Sequence, residues 1–222
     1  MKAIASRTEL LLHADPAFAA GSGSFSSGLE TLAEEGWVTS VDALEDLLDE
    51  ALVYRWNSFD RVFLVRAYQC SDTDGLSLLD DQVDVHLLGE SVRKSSRRAG
   101  HALLGVWARL GDMQLARLRE AIPAGAHLPV AQAAVAQTRG MSLADIEALY
   151  GWQVISTYSS SALRLGLCGH RSIQQLMTRA SARLGELLAN PVPDGALPRA
   201  WTPKHDIAAE RHRHSDMRLF AS

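Results

Sequence analysis

The chain has 222 residues, 47% of them apolar and 6% aromatic, enough for one sizeable core rather than two small ones. Its 22 basic against 26 acidic side chains give a net charge of -4, which excludes a uniformly basic surface for nucleic acid. Cys70 and Cys168 stand far apart with no CxxC, so no disulfide framework is expected, and no apolar run approaches the roughly 20 residues of a membrane span. With no signal peptide visible, a cytoplasmic protein is expected.

Residues 5–14 read as a short helix stopped near Pro16. Gly21, Gly23 and Gly28 then lead into the next helix, an arrangement that can cradle a phosphate on backbone N–H groups. The spacing does not support that: Gly28 is followed by Leu29 and Glu30 where a phosphate loop needs Lys and Ser or Thr, and Ser26 stands where a dinucleotide fingerprint needs its third glycine. Ser27 and Glu30 fit a capping box. That helix ends at Gly36, and Thr39 or Ser40 caps the next. From Val41, apolar residues at Leu44, Leu47, Leu48, Ala51 and Leu52 recur at helical spacing opposite Asp42, Glu45, Asp46, Asp49 and Glu50. A joint is expected near Asn57, a helix over 57–70 and a turn at SDTDG.

Helical patterns fill 76–88, 91–110 and 112–121, with Gly111 and Pro123 as punctuation. After the loop PAGAHLP, helices are expected around 130–138, from Ser142 to about Leu165, and from His170 to Leu188. Ser142 to Asp145 makes a cap. The segment NPVPDGALPRAWTP holds four of the seven prolines, so 190–205 is expected as a flexible linker. The expected organisation is all-α: a single domain of nine or ten helices over residues 1–189, the linker, and a helical tail over 206–222.

Three clusters invite chemistry. Asp80, Asp81 and Asp84 spell DDxxD, which can hold magnesium against a diphosphate because carboxylates three and four apart share a helix face. No second such motif is present, and a solvated acidic face is the expectation. His205, His212 and His214 gather near the C-terminus without HExxH. Arg93, Lys94, Arg97 and Arg98 put positive charge on one helix face, expected to be solvated or paired with the acidic helix at 42–50. The alternatives to weigh are a helical metal- or diphosphate-dependent enzyme using Asp80, Asp81 and Asp84, and a helical nucleic-acid-binding regulator. No nucleophile motif is present.

The opening stretch GSGSFSSGLE, followed by an acidic helix and Gly-Trp, resembles the N-terminal signature of the urease accessory protein UreF family at Pro16, Gly21, Phe25, Ser26, Gly28, Leu29 and Glu30. SVRKSSRRAGHALL is similar to the family's Arg-x-x-Ser-x-x-x-Gly helix at Arg93, Ser96 and Gly100. His127-Leu-Pro-Val and the ending MRLFAS, with Arg218, Leu219, Phe220 and Ser222, agree in order. Two segments depart: GLCGHRSIQQ over 166–175 keeps part of the family pattern, and His212-Arg213 stands where the family has His-Glu.

The resemblance implies a non-catalytic, all-helical homodimer that joins UreD (UreH in some species) and the GTPase UreG and delivers nickel to apo-urease. It implies no cofactor of the chain's own: nickel is the cargo and GTP belongs to the partner. Partner contacts are expected at Phe25, Ser26, Gly28, Glu30, Arg93, Arg164, His170, Arg171, His212, Arg218, Leu219 and Phe220. The tail would dock through Leu219 and Phe220 as apolar anchors and Arg218 as a charged one.

Overall fold

The computed structural model describes residues 2–15, 18 and 28–212, and every regular element among them is helical. In chain order these are α1 (Lys2–Ala14), α2 (Leu29–Glu34), α3 (Val41–Ala51), a π-helical segment (Leu52–Asp60) and α4 (Arg61–Gln69). α5 (Thr73–His86), α6 (Glu90–Arg109), α7 (Met113–Ala121), α8 (Leu128–Arg139) and α9 (Leu143–Arg164) follow, then α10 (His170–Leu188) and α11 (Pro203–His212).

α8 occupies the centre because its sequence leaves it no polar face. Val130, Ala131, Ala133, Ala134, Val135 and Ala136 are all buried, and a helix apolar on every side belongs inside. It packs between α4 and α6, while α9 lies on α10. Pro129 sits in the first turn of α8, where its missing N–H removes nothing. The expected Ser142–Asp145 capping box opens α9, with both reciprocal bonds made.

The expected joint near Asn57 does not exist. Asn57 is compatible with helix, so the rod runs unbroken from Val41 to Gln69 and widens to π geometry at its middle. That widening aligns residues five apart. Arg55 accordingly donates to Asp60 through Nε at 3.0 Å and Nη2 at 3.3 Å. The expected turn at SDTDG is also a helix start, since Asp72 Oδ1 accepts the Gly75 amide at 2.7 Å and α5 begins at Thr73.

The acidic face of α3 finds its cations elsewhere than expected. Glu45 pairs with Arg179 at 2.6 Å, Asp49 with Arg183 at 2.9 Å and Glu50 with Lys204 at 3.0 Å. α10 and α11 supply the charge, not α6, because they are the elements that lie beside α3 in space.

The proline-rich segment carries no helix through Thr202, yet it is not loosely tied. Prolines remove donors, but the amides left at Arg199 and Trp201 donate to the Ser58 and Tyr54 carbonyls of the π segment at 2.9 and 3.0 Å. Arg66 reaches the Ala196 carbonyl at 2.7 Å, and Ser58 Oγ reaches that of Arg199 at 2.7 Å. The chain then enters α11, which packs on α2 and α6. Residues 206–212 thus belong to the helical body rather than to a tail.

Candidate functional site

α2 crosses α11, the last described helix. The helix start read as a Ser27–Glu30 capping box is built differently: Gly28 is the N-cap of α2 and no side chain caps it. Gly28 takes φ +81°, and a Cβ there would lie 2.9 Å from the His205 carbonyl oxygen and 3.1 Å from Ala208 Cβ. Only glycine permits both the left-handed backbone and the close approach of α11.

Glu30 is turned inward. It is 2% exposed, and its Oε2 lies 3.3 Å from Nε2 of His212, itself 1% exposed. Thr31 Oγ1 stands 3.3 Å from the other ring nitrogen of His212. Glu30, Gly28 and His212, expected at a partner surface, are buried where α2 packs on α11. On the far side of α11, Glu210 accepts the Ser91 amide at 2.6 Å and so caps α6. Phe25, Ser26, Arg218, Leu219 and Phe220 lie outside the described residues, as do His214 and Ser27.

The α6 motif works as a clamp on its neighbours. Half-buried Arg93 donates to the Leu87 and Leu88 carbonyls at 2.6 and 3.2 Å, closing the end of α5. Ser96 Oγ accepts the Leu128 amide at 3.1 Å and so caps α8. Gly100 faces the Ala126 carbonyl so closely that a Cβ would overlap it.

The DDxxD run feeds the same clamp and is not a solvated face. Asp80 is 1% exposed, and its Oδ1 accepts the His127 amide at 2.6 Å. Asp84 accepts from Arg97 Nε at 3.1 Å and meets His127 Nε2 at 3.2 Å. Arg97 also donates to the Gly125 carbonyl at 2.9 Å. Burial pushes the Asp80 carboxyl up to about 6 against the pull of the His127 amide and Arg97. Burial, aided by Arg97, pushes His127 down to about 4, so its ring is neutral near pH 7. Asp81 alone of the three is exposed. Arg97, read as a solvated cation, is the electrostatic centre of the cluster. Among the described residues no group of three or more His, Cys, Asp and Glu side chains could hold a metal ion, and no helix is long and apolar enough to cross a membrane.

Arg164 ends α9 and His170 and Arg171 begin α10, all three exposed. Gly169 caps α10 without a side-chain bond, and the first turn of that helix contains no acid. The positive end of the helix dipole and basic side chains thus coincide, an arrangement that favours a carboxylate or other anionic group.

Sequence reasoning missed the buried ion pairs. Arg61 donates to Glu147 Oε1 at 2.7 Å and to the Asn57 side chain and the Leu187 carbonyl at 2.9 Å each, so one guanidinium joins α4, the π segment, α9 and α10. Its partners are 4 to 126 positions away along the chain. The Arg55–Asp60 spacing of five was legible only to a reader expecting a π-helix.

The UreF family model matches residues 38–181. Over nearly its whole length the chain is similar to the urease accessory protein UreF of Agrobacterium fabrum, 30% identical over 234 residues that cover 99% of this chain and 97% of that one. The urease accessory protein UreF of Trichodesmium erythraeum is 27% identical over 228 residues, covering 99% and 98%, and that of Bradyrhizobium diazoefficiens is 28% identical over 225 residues, covering 96% and 90%. The family match and the near full-length likeness agree, and the chain belongs to the UreF family of urease accessory proteins.

Proposed function

We propose that this chain is a non-catalytic scaffold of urease maturation, which joins UreD (or UreH) to the GTPase UreG so that nickel reaches apo-urease. In this reading it works in the cytoplasm as a homodimer, binds no cofactor of its own, and leaves GTP to UreG and nickel to the assembled complex. The observation that carries the reading is the use of the recognisable polar residues. Gly28, Glu30, Arg93, Asp80, Asp84 and His127 all hold helices to one another, which is what a rigid docking platform requires and what a hydrolytic or metal centre cannot spare.

Two surfaces follow from this placement. The α9–α10 turn, with Arg164, His170 and Arg171 around an uncapped helix start, suits acidic groups of UreG. The chain after His212 follows directly on the Glu30 contact, and Leu219, Phe220 and Arg218 are the anchors for UreD. Phe25 and Ser26, which precede Gly28, would extend the same side.

Co-purification with UreD and UreG from the same organism, read by size-exclusion chromatography with light scattering, tests the reading. A complex of all three with paired copies of each supports it, and no complex with or without GTP and nickel overturns it. Deleting 213–222 should remove UreD and leave the helical content unchanged, whereas deletion from 206 would also take α11 off α2. Arg171→Glu should weaken UreG recruitment alone.

A further inference from the structure

The chain has a net charge of -4, and its arginines find acids readily. Arg55, Arg61, Arg97, Arg139, Arg179 and Arg183 each pair with an Asp or Glu. The hairpin of α6 and α7 departs from that rule. Arg109 ends α6, Arg119 lies near the end of α7, and both reach over Gly105. A Cβ at Gly105 would stand 3.5 Å from Arg109 Nη1 and 3.5 Å from Arg119 Nε, so a larger side chain would lie between the two guanidiniums. Neither pairs with a carboxylate among the described residues.

The acids of the hairpin do not answer them. Asp112 Oδ1 is taken by the Gln114 and Leu115 amides at 3.1 Å each, and Glu120 is exposed and pairs with neither arginine. Arg119 is held by an uncharged acceptor, with Nε and Nη2 at 3.2 and 2.8 Å from His101 Nε2. Burial, with Arg119 adding to it, keeps the His101 ring below its usual range, so it offers a lone pair and no charge. Nη1 of Arg119 and the whole fork of Arg109 are left without an acceptor among the described residues. Like charges drawn together cost energy unless an anion lies between them.

The surface around the pair suits a protein segment better than a small anion. Leu110 and Met113 flank the turn at Gly111 and are 64% and 67% exposed. Met113 and Arg117 lie one helical turn apart and share a face of α7, and Arg117 is exposed and also without a carboxylate among the described residues. Arg and Met are both enriched in the cores of interfaces. From Met113 to Arg119 the helix runs about 9 Å, the length of about three extended residues. A carboxylate is planar and meets a guanidinium fork edge to edge. Inorganic phosphate would use the arginines and leave Leu110 and Met113 wet.

We propose that the α6–α7 hairpin is a docking site for an acidic segment of a partner protein, in which neighbouring carboxylates are held by Arg109 and Arg119 and an adjacent large apolar side chain covers Leu110 and Met113. The surface is separate from the α9–α10 turn and from the chain beyond His212, so it stands or falls independently of the scaffold reading.

The test is titration of the full-length protein with the capped peptide Leu-Glu-Glu-Leu, followed by the Nε–H resonances of Arg109 and Arg119 and the methyl resonance of Met113. All three should shift with saturation, and added salt should weaken the binding. Arg109→Gln with Arg119→Gln should raise the Kd about tenfold or more with helical circular dichroism intact, while Arg171→Gln should leave it unchanged. Should the double variant misfold, Arg109→Gln alone serves, since Arg109 makes no hydrogen bond or ion pair in the described fold, and it should still weaken binding severalfold. Unmoved resonances at millimolar peptide, equal shifts with Leu-Lys-Lys-Leu, Met113 shifts reproduced by inorganic phosphate, or full affinity in the arginine variants would each overturn the proposal.

Discussion

Glu30 and His212 stand 3.3 Å apart at the crossing of α2 and α11, each almost wholly buried. A pair so placed ties α2 to α11. Replacing one member removes a polar contact that water cannot replace at this depth. Glu30→Leu should destabilise the protein by about 3 kcal/mol. Native-state hydrogen exchange should show α11 opening before the α8 core. If α11 amides exchange no faster in the variant, the pair is not what holds that helix.

Gly28 and Gly100 should both resist substitution, for different reasons. Gly28→Ala forces an L-residue to φ +81° and brings a methyl to 2.9 Å from the His205 carbonyl oxygen, at a cost of about 1–3 kcal/mol. Gly100→Ala places a methyl on the Ala126 carbonyl within the best-packed part of the molecule and should be the worse of the two. Urea denaturation of the two variants measures the order.

The guanidinium of Arg61 offers a cleaner test of a buried charge. Its Nε lies 2.7 Å from Glu147, with only 3% of the Arg61 side chain exposed. Arg61→Met should lose about 3–5 kcal/mol by leaving Glu147 unpaired. Arg61→Met with Glu147→Leu should recover part of that loss, so the double-mutant cycle should return a large favourable coupling. Simple additivity in the cycle would show that the two side chains are not energetically paired.

His13 predicts a pH dependence whose sign can be worked out. Its ring stacks on Trp107 at 5.3 Å and 23°. Burial, with Arg139 adding to it, pushes it from 6.5 down to about 4 against the pull of Glu9. The unfolded chain therefore binds a proton that the folded chain refuses between those values. Its contribution is complete above pH 6.5 and falls as the pH drops towards 4, by about 1.4 kcal/mol per unit. Between pH 7 and pH 5 the stability of the native protein should fall relative to His13→Gln by about 2 kcal/mol. Urea melts at the two pH values measure this, and a constant difference would mean that His13 titrates normally.

The helices were legible because their signals are local. The stripe through Val41, Leu44, Leu48 and Ala51, the cap at Ser142 and Asp145, and the breaks at Gly36 and Gly111 each lie within a few residues of what they control. The π segment was not legible, because no residue in LVYRWNSFD breaks a helix and the widening leaves no mark on apolar spacing. Nor was the role of the proline-rich segment, since composition counts its missing donors but not the two amides that find carbonyls on Tyr54 and Ser58.

The site divides along the same line. The motif around Arg93, Ser96 and Gly100 stood out in the sequence, but its meaning waited on the loop at Ala126 to Leu128 that it grips. The same holds for the acidic run at Asp80, whose carboxylate disappears into the protein because α6 brings Arg97 to it.

By itself the sequence determined an all-helical chain, the extent of most helices and the family to which it belongs, because periodicity, caps and motifs are written in neighbouring residues. Only the tertiary structure decided which polar residues face inward. Glu30 meets His212 across 182 positions, and Arg61 meets Glu147 across 86. Burial, and with it the energy of a charge or the freedom of a surface group, depends on what packs against a residue, and that is a property of the folded chain alone.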